Sequence, residues 1–527
     1  MNYRFESAFF KKAGYLTWGC LLLLSLIFWK ERAFFMDAGF QLFNLINEGH
    51  IQVYHYRFVT AVPQILPWLL LKLHAPLWML GLSFSVSYIL FYFCSWYLMT
   101  EKLKNERMGW VLTALFTFMA LDSFYHVQSE FYLGLTLLLL LFGMVLYRPE
   151  LKGWKFWLPA VALLITIGFS HKLTVIFFLF LWLFFAKSNP ALRHRRYLIL
   201  LASMLIVAFV KSHWFTNWYE AAKQVDFQTN WQLYFPRFDR LPSNEVLLQR
   251  LIRHYYLLPL LLLLCTWFYA KRKALLKLVM VWAFTLGYLL LYNISDPSSS
   301  YRFYSEVSYL PAILFVAVPL FFDLLPEWER SSQAFFSFGK LVFGAVVALR
   351  LFTIALGHQP FTLQQRWALR QLSQANRLHT NRLLMPSASA PADTVIMEWG
   401  IPFTTMHLTA LENPDSAKTL LIMPDFERYE EHLQADNVFF SPFRPFPQSW
   451  STQRTTTRTL HSTAWWKMNE PGAVLDHGWV GLDRLHRSGA AGCRLWENPC
   501  NRKSFVNQTK KKPTRGEGGQ SIYRESR

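Results

Sequence analysis

The sequence predicts an α-helical polytopic membrane protein with a small C-terminal α/β extramembrane domain. Three observations carry that expectation. Of 527 residues, 53% are hydrophobic and 18% aromatic, while only 16% are charged, a balance that ordinary soluble domains do not reach. The apolar residues gather in runs of about 17 to 22 over the first two thirds of the chain and thin out after residue 358. The Lys and Arg residues behind the formal net charge of +20 fall in short clusters between those runs. That clustering argues against nucleic-acid binding, which needs cations along one soluble face. Modest Gly and Pro counts, five Cys and 48 Phe exclude collagen-like, disulfide-scaffold and disordered classes.

Taken in order, about eleven spanning helices are expected, near 13–30, 77–99, 109–123, 130–147, 156–170, 171–187, 197–213, 254–270, 275–293, 304–322 and 340–357. The first run is followed by Lys30-Glu31-Arg32 rather than a small-residue cleavage site, so it reads as an uncleaved anchor. With the N-terminus inside, the inner connections hold Lys11 and Lys12; Lys102, Lys104 and Arg107; Arg148, Lys152 and Lys155; Lys187, Arg193, Arg195 and Arg196; Lys271, Arg272, Lys273 and Lys277; and Arg330 with Lys340. The outer connections are sparser in cations, as the positive-inside rule requires. The orientation is therefore N-terminus inside and C-terminus outside.

The outer loop 31–76 contains a helical apolar pattern from Asp37 to Asn47, expected to lie on the membrane surface. A Pro-interrupted run, Val62 to Leu70, reads as a second interfacial helix. Residues 214–253, rich in Trp, Tyr, Phe and Gln, are placed to cover the outer mouth of the bundle. The transmembrane domain thus occupies 1–357, the exported α/β domain 358–509, and a disordered basic tail 510–527. Within the exported domain, Leu363–Leu384 reads as a polar helix, Pro386–Ala392 as a linker, and Thr394–Trp399 and Thr419–Met423 as strands. Cys20, Cys94 and Cys265 fall within predicted spans as small apolar fillers, whereas Cys493 and Cys500 in the exported tail are open either to a disulfide or to free thiols.

Ionisable residues stand out against so apolar a text, because burying them is costly without a partner or water. Asp37 opens the first outer-loop helix, and His55 and Arg57 precede the second. Glu130 opens the 130–147 span, His171 and Lys172 interrupt an apolar hairpin, and Arg302 opens the 304–322 span. A topology drawn from other charges places all of them on one outer face. Each also has a plainer explanation: Asp37 and Glu130 as helix caps, His171-Lys172 as a wet turn with a snorkelling lysine, and Arg302 as an interfacial anchor.

With these residues in place, residues 10–325 resemble the GT-C superfamily of polytopic glycosyltransferases, which includes protein O-mannosyltransferases and lipid A aminoarabinose transferases. The resemblance rests on the acid after the first span (Asp37), the aromatic and basic stretch from His55 to Trp68, Ser129-Glu130, His171-Lys172, and Tyr301-Arg302-Phe303-Tyr304 before an apolar run. It implies transfer of a sugar from a polyprenyl-phosphate or polyprenyl-diphosphate carrier to a lipid, glycan or protein acceptor, on the exported face of a bacterial cytoplasmic membrane. Many members carry two adjacent acids in the first loop. Here Ala38 follows Asp37, which weakens the case for a divalent metal, and no other cofactor is implied.

Displacement at an anomeric carbon needs a base for the acceptor and positive charge for the departing phosphate. Asp37 is the candidate base. Glu130 is a second catalytic carboxylate, which orients the acceptor, holds Lys172 or adds to a metal site. His171, Lys172 and Arg302 are candidates for the donor phosphate, and His55 and Arg57 for acceptor or loop contacts. Two other readings stay open: a polysaccharide polymerase, ligase or lipid-linked sugar flippase, and a non-catalytic membrane scaffold.

Overall fold

The computed structural model describes residues 7–127, 129–147, 153–189, 192, 194–299, 301–331, 333–377, 381–412 and 417–424, together with 438–439, 441–442, 446–447 and 466–467. The chain divides into two compact units, Met1–Glu470 and Pro471–Arg527. All described residues belong to the first. Cys493, Cys500 and the expected basic tail lie outside the described residues.

Helices dominate. Among the described residues seven are long and apolar enough to cross a membrane, or eight if one bent pair counts as a single span. The first is α1 (Ser7–Ile27), whose 21 residues reach about 32 Å at 1.5 Å each. A short α2 (Trp29–Ala33) follows, and its Arg32 is fully buried. The Arg32 guanidinium donates to the Ser85 hydroxyl at 2.9 Å, to Ser85 O at 3.2 Å and to Phe124 O, and lies over the Phe124 ring. A buried arginine is tolerable only when its donors are met in this way. It fastens the start of the 31–76 segment to two other segments.

The two helices expected within residues 31–76 form, as α3 (Met36–Glu48) and α4 (Ala61–Lys72). Gly49, with φ of 68°, ends α3 in the left-handed conformation that glycine adopts without penalty. One expectation needs correction: α3 does not offer its apolar face to lipid, because Leu42, Phe43, Leu45 and Ile46 are buried in protein. The next helices are α5 (Leu77–Tyr97), α6 (Glu106–Thr117), α7 (Glu130–Tyr147), α8 (Trp154–Ser170), α9 (Thr174–Ser188) and α10 (Arg195–Trp214). Leu198, Ile199, Ile206 and Phe209 on α10 are exposed, an apolar surface that needs a non-aqueous neighbour.

The span expected at 109–123 is cut short. α6 has 12 residues, and the chain then turns so that the backbone N–H groups of Leu121, Asp122 and Ser123 all donate to the fully buried Glu306 carboxylate. The Ser123 and Tyr255 hydroxyls complete that carboxylate's partners. α8 and α9, at 17 and 15 residues, are also shorter than a standard span.

Residues 218–253 form two helices, α11 (Trp218–Tyr234) and α12 (Pro242–Arg253), joined by a short 3-10 turn. α12 meets α13 (Leu257–Lys271) at a bend of 83°. α14 (Leu275–Ser295) leads to a continuous run made of α15 (Arg302–Tyr309), α16 (Leu314–Pro319) and α17 (Leu325–Ser331), with a π-turn at Leu320–Leu324. The last long helices are α18 (Gln333–Leu356) and α19 (Gln359–Arg377).

After α19 the chain carries short strands as well as helices, with one strand misplaced in the sequence expectation. Thr394–Trp399 forms no strand, and it leads into a short 3-10 turn, Glu398–Gly400. The strand is instead β1 (Arg382–Pro386), where the expected helix end and linker meet. Its Leu383, Leu384 and Met385 are buried, and it pairs in parallel with β2 (Thr419–Met423), Leu383 opposite Leu420. After β2 come β3 (Val438–Phe439), β4 (Phe446–Pro447) and β5 (Trp466–Lys467). β5 pairs in parallel with the other edge of β1, and β3 with β4 form an antiparallel pair.

Between β1 and β2, α20 (Ile401–Glu412) packs on α3. The Thr404 hydroxyl donates to Phe34 O at 2.6 Å, and His407 Nε2 donates to Gly39 O at 3.0 Å. Burial pulls His407 down to about 4, so the ring is neutral and its Nε2 carries the donated proton. The α/β segment therefore braces the helix that bears Asp37.

Candidate functional site

Asp37 lies in the first turn of α3. It is not the cap: Phe35 occupies that position and makes no side-chain cap bond. The Asp37 carboxylate is instead 3.0 Å from His126 Nε2. His126 is 5% exposed and Asp37 37%, so a buried imidazole orients a carboxylate that reaches solvent. His126 Nδ1 is buried without a hydrogen-bond partner.

A second group of charges centres on Glu220, which sequence reasoning did not single out. Asn217 caps α11 by accepting from the Glu220 N–H at 3.0 Å, which sets the carboxylate in the first helical turn, where the helix dipole favours a negative charge. Lys211, at the end of α10 and 2% exposed, donates to both Glu220 oxygens at 2.9 and 3.0 Å and to Phe215 O at 3.3 Å. All three ammonium protons are thereby used. Lys172 lies 3.7 Å from the same carboxylate and Arg57 3.9 Å. Three cations thus converge on one nearly buried carboxylate.

Arg57 also pairs with Glu130, and its Nε is buried without a partner. The helix that begins at Glu130 and the one that ends beside His171 approach closely at Gly134, one turn after Glu130. A Cβ on Gly134 would lie 1.9 Å from the Ser170 hydroxyl oxygen, next to His171 in sequence. The His171 ring stacks on Phe131 at 4.5 Å, and its Nδ1 accepts from the Leu173 N–H at 3.2 Å. Burial, and then the charges of Arg57, Lys172 and Lys211, push His171 down to about 3. It is therefore neutral at pH 7, with Nε2–H as its remaining donor. His55 stacks on Tyr219 at 5.1 Å, and burial followed by Arg57 lowers its pKa as well.

Asp37 is within electrostatic reach of Arg57 and of Tyr219. Six of the seven residues proposed from sequence, Asp37, His55, Arg57, Glu130, His171 and Lys172, are therefore linked by contact or by field to one polar region. Arg302 reaches the region through Asp122, whose backbone O accepts from the His126 N–H at 3.1 Å. Its guanidinium fork is engaged by Asp122, with Nη2 donating to Oδ1 at 2.7 Å and Nε to Oδ2, so the planar fork proposed for phosphate already holds a carboxylate. No group of three or more His, Cys, Asp or Glu side chains placed to hold a metal occurs among the described residues.

Sequence reasoning missed Glu220, Lys211, His126 and Asp122. For Asp122 and His126 a signal was present, since both interrupt the apolar stretch Met119-Ala-Leu-Asp-Ser-Phe-Tyr-His126. Comparison with protein-family models, with curated proteins and with solved structures yields no match.

Proposed function

We propose that the chain is a GT-C-type membrane glycosyltransferase, moving a sugar from a polyprenyl-phosphate carrier to a lipid, glycan or protein acceptor. The observation that carries this reading is a His126-oriented, solvent-reaching Asp37 whose charge is felt by Arg57, itself one of the three cations that converge on Glu220. In the proposed step the bond from the anomeric carbon to the carrier phosphate breaks and a bond to the acceptor oxygen forms. Asp37 takes the acceptor proton, helped by the His126 contact that fixes its position. The leaving polyprenyl phosphate takes up negative charge beside Lys172 and Arg57, with the His171 Nε2–H as a further donor. Glu220 occupies the centre of these cations, so the phosphate competes with it for Lys172 and Arg57 while Lys211 stays on the carboxylate.

The reading includes the eleven-span topology, N-terminus inside, in a bacterial cytoplasmic membrane, with α6, α8 and α9 as short crossings. The ion pairs support it. Lys11 with Glu101 and Arg272 with Glu327 join positions that charge alternation assigns to the inner face. Arg57 with Glu130 and Arg302 with Asp122 join positions assigned to the outer face.

The test is Asp37→Asn, assayed for sugar release from radiolabelled polyprenyl-phosphate hexoses and pentoses. The expected loss of turnover is about 10²- to 10⁴-fold, the usual worth of a general base, with binding of polyprenyl phosphate unchanged. Turnover equal to that of the unmodified protein removes Asp37 as the base.

A further inference from the structure

At the other end of α9 from Lys172 lies a cleft of about 490 Å³ between α9, α13, α14 and α17. The 15 residues of α9 put about 22 Å between the two, so this cleft is separate from the site around Asp37. Five cations line it: Lys187, Arg272, Lys273, Lys277 and Arg330. Only two carboxylates, Asp323 and Glu327, share the lining.

The carboxylates are already engaged. Asp323 sits in the π-turn Leu320–Leu324, a distortion often found at functional sites. It accepts from the Lys277 ammonium and from the Tyr269 hydroxyl, both at 2.6 Å. Glu327 pairs with Arg272. Lys187 and Lys273 stand exposed on the rim, and Leu275 and Leu276 beside them are 66% and 54% exposed. A cationic recess next to exposed leucines matches a phosphate whose ester chains run along the helix surface, since basic pockets between membrane helices bind anionic head groups.

We propose that this cleft binds a phosphate anion, with the lysines on its rim as the main attraction and a phospholipid head group as its natural form. The inference does not depend on the transferase reading.

The experiment uses the full chain purified in detergent, with retention of phosphatidylglycerol and phosphatidylcholine measured by native mass spectrometry, and a thermal-shift titration with inorganic phosphate. The unmodified protein should retain phosphatidylglycerol over phosphatidylcholine. The double variant Lys187→Gln/Lys273→Gln should lose roughly fivefold in affinity per lysine removed. Lys187→Arg/Lys273→Arg should keep the preference and thereby show that the glutamine variant fails through charge and not through folding. The outer-face control Lys223→Gln should also keep it. A preference for phosphatidylglycerol identifies the lipid source. A phosphate-induced shift without lipid preference, lost in the glutamine variant, supports a soluble phosphate source for the same cleft. Equal retention of both lipids with no phosphate-induced shift, or binding unchanged in the glutamine variant, overturns the proposal.

Discussion

Replacing Glu220 by alanine removes the carboxylate on which Lys211, Lys172 and Arg57 converge. At 2.9 Å, and with an effective dielectric of about 20, the Lys211–Glu220 attraction is about 6 kcal/mol before desolvation is counted. What the variant measures is smaller and of a different kind: a lysine 2% exposed is left beside two other cations with no counter-charge. Breaking one partner of a buried pair costs about 3 to 5 kcal/mol. The assay is a thermal and denaturant unfolding series on the purified full chain, comparing Glu220→Ala, Lys211→Met and the double variant. Each single variant should be strongly destabilised. The double variant should recover most of the loss, because no fully buried unpaired charge remains: Arg57 keeps Glu130, and Lys172, 38% exposed, reaches solvent. If Glu220→Ala costs no more than the exposed Lys223→Ala, under about 0.5 kcal/mol, the charge-cluster argument fails.

Three further outcomes follow from the same geometry. Gly134→Ala should lower stability by about 1 to 3 kcal/mol, and adding Ser170→Gly should restore much of it, since the Ser170 side chain is what the new methyl meets; unfolding midpoints decide this. His171 and His407 are held at about 3 and about 4, below the unfolded histidine value of about 6.5. Below pH 6.5 the unfolded chain therefore takes up protons that the folded chain refuses, and stability should fall as pH drops toward those values. The slope is at most about 1.4 kcal/mol per pH unit for each histidine, and His171→Phe should make it shallower in unfolding measured from pH 7 to 4. Finally, His126→Phe should reduce turnover while leaving polyprenyl-phosphate binding intact, because it unseats Asp37 and leaves the cations in place; loss of binding instead would assign His126 to the donor.

Much of the helical layout was legible because apolar runs and their cationic borders are local signals. The reading failed where a distant partner decides the local structure. The expected span at 109–123 stops early because Glu306, over 180 residues away in sequence, gathers the N–H groups of Leu121 to Ser123. The site shows the same division. Asp37, Glu130 and His171-Lys172 were visible because each is an ionisable group in apolar text. Glu220 sits in Trp-Tyr-Glu-Ala-Ala-Lys, a stretch polar enough to hide it, and Lys211 reads as one more cation at a helix end. Nothing local to Arg302 announces that Asp122 holds it. β1 was missed because Leu383-Leu384-Met385, next to Pro386, fits a helix end as readily as a short buried strand.

The account's central claim is that the cations around Glu220 receive the phosphate of a polyprenyl carrier. The most direct measurement is equilibrium binding of a short-chain polyprenyl phosphate to the purified full chain, alongside the corresponding prenyl alcohol. The account predicts saturable binding of the phosphate, weak binding of the alcohol, and about a tenfold loss in Lys172→Gln, as expected for one charge-assisted contact, with no change in Lys223→Gln. Equal binding of phosphate and alcohol, or an unaffected Lys172→Gln, contradicts it.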